Sequence, residues 1–83
     1  MAYRLYLSAR AEREFQKLER TPQEQVVFVF ESLQSDPFTA NIKKLKRPFS
    51  GYRVRKGDYR ILFTLERDTI TVYSIKHRKD AYR

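Results

Sequence analysis

The sequence predicts an α+β domain: an N-terminal strand, a two-helix hairpin packed on one face of a mainly antiparallel sheet, and a C-terminal β-meander that continues that sheet. Three observations predict it. Apolar residues alternate at the start of the chain, recur at helical spacing through the rest of its first half, and alternate again in three late runs separated by turn residues. Eighty-three residues without cysteine make a single domain, 1–83, that stands on hydrophobic packing or on a partner, since small chains bury a smaller share of their surface.

Residues 2–7, "AYRLYL", place Tyr3, Leu5 and Leu7 on one side of a strand and Arg4 and Tyr6 on the other. Ser8 then offers a helix cap. The first helix, Ser8 to Arg20, has Ala11, Phe15 and Leu18 at helical spacing among charged residues, so it shows one face to a core. The second helix is announced by "TPQE": Thr21 can cap, Pro22 sits where a missing N–H costs nothing, and Glu24 can return the capping bond. Its run Val26, Val27, Phe28, Val29, Phe30 and Leu33 has strand propensity, but the cap and the polar spacing of Gln23, Gln25, Glu31 and Gln34 favour helix. "SDP", Ser35 to Pro37, ends it.

A loop containing Asn41 leads to the strand runs "YRVR", "YRILFTLE" and "TITVYSIK", with turns at Lys56–Gly57–Asp58 and Glu66–Arg67–Asp68. Alternation sets Tyr52 and Val54 beside Ile61 and Phe63 on one face, and Arg53 and Arg55, with Arg60 alongside, on the other. Both helices are expected on the first face and the arginines on the second.

Charge is distributed unevenly. Residues 1–42 carry five Lys or Arg against six Asp or Glu, whereas residues 43–83 carry thirteen against four, which yields the net +8. Such asymmetry points to a polyanionic partner, because each neutralised phosphate releases counterions; solubilising surface charge is the alternative. The start is polar and interrupted by Arg4, unlike a secretory signal, and no stretch approaches a membrane span, so a cytoplasmic protein with no membrane partner is expected. Without cysteine there is no thiolate metal site, and a lone histidine cannot build a zinc site by itself.

Arg53 and Arg55 from one strand, Arg60 from its hairpin partner, and "KHRKDAYR" after the last strand can converge on one concavity. Guanidinium forks bind phosphate oxygens bidentately, so the group reads as a phosphate site, although each arginine alone has a solvated-strand explanation. His77 is the one side chain whose ordinary pKa suits acid and base work near neutrality; a structural role is its alternative. Tyr82 offers a ring to stack on a base or to anchor the terminus. Lys44, Lys46, Arg47, Lys56, Lys76 and Lys79 are the surrounding candidates for RNA-backbone contact.

The order strand, helix hairpin, basic meander, together with "YRVRKGDYRILF" and the ending "HRKDAY", resembles the RelE/ParE toxin superfamily, its RelE branch in particular, over nearly the whole chain. The resemblance implies the toxin of a type II toxin–antitoxin system: a metal-independent endoribonuclease, without cofactor, that enters the 70S ribosome, cuts mRNA in the A site and inhibits translation. It implies a cognate, RelB-like antitoxin, acidic and partly disordered. It implies 2′-OH attack on the adjacent phosphate, with Arg53, Arg55 and Arg60 stabilising charge on phosphorus, Arg78 near the leaving 5′-oxygen and Tyr82 on a base.

In the best-known RelE pattern the positions of Arg53 and Arg55 hold lysines, and arginine hardly loses its proton. A lysine-type base therefore does not carry over; His77, Lys44, Lys46 or Lys56 would take that role, or charge stabilisation alone would suffice. Three other functions fit the same fold: a ParE-like poison of DNA gyrase, an RNA- or ribosome-binding module without chemistry, and an inactive toxin that still binds its antitoxin.

Overall fold

The computed structural model describes residues 3–38, 42–47 and 50–79. In chain order it contains β1 (Arg4–Leu7), α1 (Ala9–Gln16), α2 (Arg20–Ser35), β2 (Ile42–Lys44), β3 (Tyr52–Lys56), β4 (Tyr59–Glu66) and β5 (Thr69–His77). The strands form one mixed sheet in the order β1-β5-β4-β3-β2, parallel only where β1 meets β5.

Ser8 caps α1 as its sequence position suggests: its Oγ accepts the Ala11 N–H at 3.1 Å while its own N–H donates to the Val72 carbonyl at 2.8 Å. The helix stops at Gln16, short of the expected Arg20. The Gln23 side chain reaches back from α2 and donates to the Phe15 carbonyl at 3.0 Å, an acceptor it shares with the Leu18 N–H at 3.1 Å, which ties the two helices together at the turn.

The expected Thr21–Glu24 capping box does not form. The cap of α2 is Glu19, without a side-chain capping bond, and Thr21 is already helical. Glu24 pairs instead with Arg20, Nε to Oε2 at 3.3 Å. Pro22 still fits, because first-turn N–H groups have no partner within the helix. At the far end Asp36 accepts the Phe38 N–H at 2.9 Å and Pro37 is buried, so the chain leaves the helix sharply.

The segment read as a loop before the meander contains β2, and Asn41 lies outside the described residues. Ile42 pairs with Val54 and adds a partly buried side chain to the core, which explains why so short a run joins the sheet. Gly51 connects it to β3 at φ 95°, and its carbonyl accepts the Leu45 N–H at 2.9 Å. A Cβ at Gly51 would collide with the Phe63 carbonyl, so the residue must be glycine on two grounds.

Both helices cover one face, where Ala11, Val26, Val29, Phe30 and Leu33 meet Val54, Ile61, Phe63, Ile70, Val72 and Ile75. The apolar positions of β5 are spaced unevenly: Ile70 and Val72 are two apart, Ile75 three further on. A β-bulge resolves the conflict. Val72 pairs with Phe63 but Ser74 with Leu62, so one extra residue of β5 slips the alternation and returns Ile75 to the core. The same slip turns Lys76 to the opposite face. Among the described residues no helix is long and apolar enough to cross a membrane.

Candidate nucleic-acid interface

The sheet face opposite the helices carries the cations. Arg55 of β3 lies directly opposite Arg60 of β4, and Arg60 directly opposite Lys76 of β5, so three strands present three positive side chains in one row. Neighbouring strands stand about 4.8 Å apart, so the row is compact enough to converge on a single phosphodiester. Like charges set opposite each other cost roughly 0.2–1 kcal/mol per pair, and folding has no use for the arrangement. One step along the sheet, Arg53 lies opposite Lys43 of β2 on one side and Leu62 of β4 on the other.

Arg53 and Arg60 are half-buried, whereas Arg55 is exposed. The Arg53 Nε is buried with no hydrogen-bond partner among the described residues. Tyr73 runs from β5 past β4 to the chain before β3, where its hydroxyl donates to the Ser50 carbonyl at 3.0 Å; burial pushes its pKa above the ordinary tyrosine value.

The other side of the sheet receives several residues that the sequence offers as candidates. His77 shares the face of Tyr59 and Ile75: its ring meets Tyr59 edge-on at 5.2 Å, and its Nδ1 accepts the Lys79 N–H at 3.2 Å. Together with Glu14, Lys17, Leu18 and the adjoining Lys76 it borders a cleft of about 290 Å³ between the end of α1 and β5, while the pairing of Lys76 with Arg60 directs that lysine's side chain to the arginine face. Lys56 turns toward α2, with Nζ 5.0 Å from the centre of the Phe28 ring, and Lys44 is paired with Tyr52, the core-side position. The geometry therefore separates His77, Lys44 and Lys56 from the arginine row.

Arg78 stands just past β5. Its N–H donates to the Asp58 carbonyl at 2.7 Å and its guanidinium lies 3.9 Å from the Asp58 carboxylate, a solvent-exposed pair that adds little stability but holds the chain against the β3–β4 turn. Lys46, Arg47 and Lys79 are exposed beyond the strand ends, and Tyr82 lies outside the described residues.

Glu14 supports the row from behind. Because β1 ends at Leu7, β5 has no strand neighbour beyond Val72 on that side among the described residues, and the Glu14 carboxylate binds there by accepting the Ile75 N–H at 2.8 Å. Arg10 holds Glu14 from the next turn of α1, at 3.4 Å. Three members of this arrangement escape a reading of the sequence. Lys43 is hidden by the brevity of β2, Glu14 by its solvent-facing context, and Tyr73 by the bulge; only the three-residue gap between Val72 and Ile75 was available as a signal.

Chemically, the face offers guanidinium forks, an amine and an apolar floor at Leu62, a combination suited to a nucleic-acid backbone. The family model described as "ParE toxin of type II toxin-antitoxin system, parDE" matches residues 5–82. Toxin RelG of Mycobacterium tuberculosis is 32% identical over 87 residues, covering 100% of this chain and 99% of its own. The toxin–antitoxin complex RelBE2 of the same organism superimposes with a TM-score of 0.83 at 28% identity, over 94% of this chain and 100% of that one. The isolated E. coli RelE toxin shares the fold at a TM-score of 0.77 and 23% identity, over 98% of this chain and 96% of that one.

Proposed function

The chain belongs to the RelE/ParE superfamily of type II toxin–antitoxin toxins, and from that premise we propose that it is a ribosome-dependent endoribonuclease that cuts mRNA in the A site. The observation that carries the reading is the row Arg55–Arg60–Lys76 with Arg53 beside it on the face opposite the helices. A phosphodiester laid across the row receives two guanidinium forks, and the negative charge that builds on its oxygens as a 2′-oxygen attacks is met by fixed positive charge. The ribosome supplies the remaining requirement by holding the nucleotide for in-line attack, which explains how so small a protein catalyses the reaction. Arg78 contacts phosphate on the leaving side and Tyr82 stacks on a base, as the resemblance to RelE implies. The products are a 2′,3′-cyclic phosphate and a 5′-hydroxyl.

A cognate antitoxin holds the protein inactive in the cytoplasm. The solved RelBE2 relative is a toxin–antitoxin complex, and an acidic partner would complement the +8 charge. The family description names ParE, so action on DNA gyrase is the second reading.

Primer extension on an mRNA in a purified translation system tests the proposal, with and without ribosomes. Cuts at A-site codons are expected only with ribosomes present, falling about 100-fold or more in Arg60→Ala, the scale of losing one preorganised charge stabiliser. Intact mRNA, with gyrase-dependent DNA cleavage in a parallel assay, would replace this reading with the second.

A further inference from the structure

We infer that Lys76 is the general base of the proposed cleavage, its amine taking the proton of the attacking 2′-hydroxyl. The inference rests on the reading of this face as an RNA-cutting site and adds to it the group that moves the proton.

The geometry narrows the choice. Arg55 and Arg60 can hold a phosphate but not accept a proton, because guanidinium stays protonated throughout the accessible pH range. Lys76 is the one member of their row with an amine, and it stands directly opposite Arg60. His77, the obvious base by chemistry, is on the other side of the sheet against Tyr59, with its Nδ1 occupied by the Lys79 N–H. Lys56 is drawn away over Phe28, and Lys44 pairs with the core-side Tyr52. Lys43 does share the face, but it is exposed on the three-residue edge strand β2, two strands from Arg60.

Lys76 is also the better held. It is half-buried near the end of the nine-residue β5, which is bonded to β4 on one side and propped on the other by Glu14 through the neighbouring Ile75 N–H. Its orientation has a definite cause. Counting in twos from Ile70 and Val72 would send residue 76 into the core, and the bulge opposite Leu62 and Phe63 sends it to the arginine row instead. Bulges occur where a strand must re-aim a side chain, often beside active sites.

The step balances. Neutral Lys76 Nζ takes the 2′-hydroxyl proton as the O2′–P bond forms and the P–O5′ bond breaks. The departing 5′-oxygen takes a proton from a water molecule, and the hydroxide left behind is neutralised by the proton that the Lys76 ammonium gives up. No water is consumed overall, and a cyclic phosphate and a 5′-hydroxyl remain.

The test compares wild type, Lys76→Arg, Lys43→Arg and Lys76→Cys for single-turnover cutting of ribosome-bound mRNA, with ribosome binding measured by co-sedimentation. Lys76→Arg keeps the charge, so it should bind ribosomes like wild type, yet its cutting rate should fall about 100-fold or more. Lys76→Cys should be silent until treated with 2-bromoethylamine, which rebuilds an amine at that position alone because the chain has no other cysteine. Treatment with iodoacetamide, which adds no amine, should leave it silent. Cutting by Lys76→Arg within about threefold of wild type would overturn the assignment, since a lost general base costs far more. The assignment would fall equally if Lys43→Arg, rather than Lys76→Arg, abolished cutting while binding persisted. A wild-type protein that leaves ribosome-bound mRNA intact would sink the endoribonuclease reading itself, which the two preceding outcomes leave standing.

Discussion

Arg53 shows how a residue proposed to hold phosphate burdens the fold that carries it. Its Nε is buried without a hydrogen-bond partner among the described residues, and its side chain stands opposite Lys43. An unmet buried donor costs about 1–3 kcal/mol, and like charges opposite each other add to that. Replacing both problems with an apolar side chain of similar length should relieve them. Arg53→Met is therefore expected to raise stability by about 1 kcal/mol, a shift of roughly 4–8 °C in Tm for a domain of this size, while mRNA cutting falls. Thermal melts and primer extension on the same preparation check the two halves. A variant that cuts like wild type would remove Arg53 from the site; one that melts lower would mean the guanidinium is held by contacts worth more than its desolvation. Arg53 and Arg55 were legible in the sequence as residues of one strand face, because a period of two needs only one anchor and Val54 supplied it. Lys43 was not legible, since three residues are too few to display a period.

At the scale of elements, the sequence announced strands and helices well and their boundaries and phase poorly. Thr21, Pro22 and Glu24 have the chemistry of a capping box, yet the helix begins two residues earlier, with Glu19 as its cap; Glu24 pairs with Arg20, and Pro22 is tolerated anywhere in the first turn. The bulge in β5 was written as the gap between Val72 and Ile75, but a gap alone does not say which side of it holds the regular phase. The β4–β5 turn makes a similar point. Arg67 occupies φ 58°, the left-handed region, at the first of two connecting residues, where hairpins of this length favour glycine. The corresponding residue of the β3–β4 turn is Gly57, at φ 59°. Arg67→Gly should therefore stabilise the protein by about 1 kcal/mol, since a non-glycine residue in that region bears roughly 1–2 kcal/mol of strain. Urea denaturation would show a higher midpoint at unchanged slope. A lower midpoint would indicate that the Arg67 side chain makes contacts that outweigh its backbone strain.

For the whole molecule, the uneven charge of the sequence becomes an uneven charge in space. The acids at Glu12, Glu14, Glu19, Glu24, Glu31 and Asp36 sit on the helical layer or its caps, where Arg10–Glu14 and Arg20–Glu24 neutralise one another, while the far face of the sheet presents Arg53, Arg55, Arg60 and Lys76. Two kinds of RNA binding are compatible with such a molecule: diffuse attraction to its basic half, or contact at the row. Salt dependence separates them. Each phosphate contact on single-stranded RNA contributes about 0.7 to the slope of log affinity against log salt. Arg60→Ala should therefore lower the slope by about 0.7 in anisotropy titrations with a short RNA. Arg67→Gly removes the same charge from the opposite end of β4, about 23 Å along the strand at 3.3 Å per residue. That distance is well beyond the screening length of about 8 Å at physiological salt, so a local site should leave its slope unchanged. Equal losses in the two variants would mean that RNA is held by net charge rather than by the row, and the case for a phosphate seated between Arg55, Arg60 and Lys76 would go with it. A loss confined to Arg60→Ala would tie the +8 charge to attraction at a distance and the row to the contact itself.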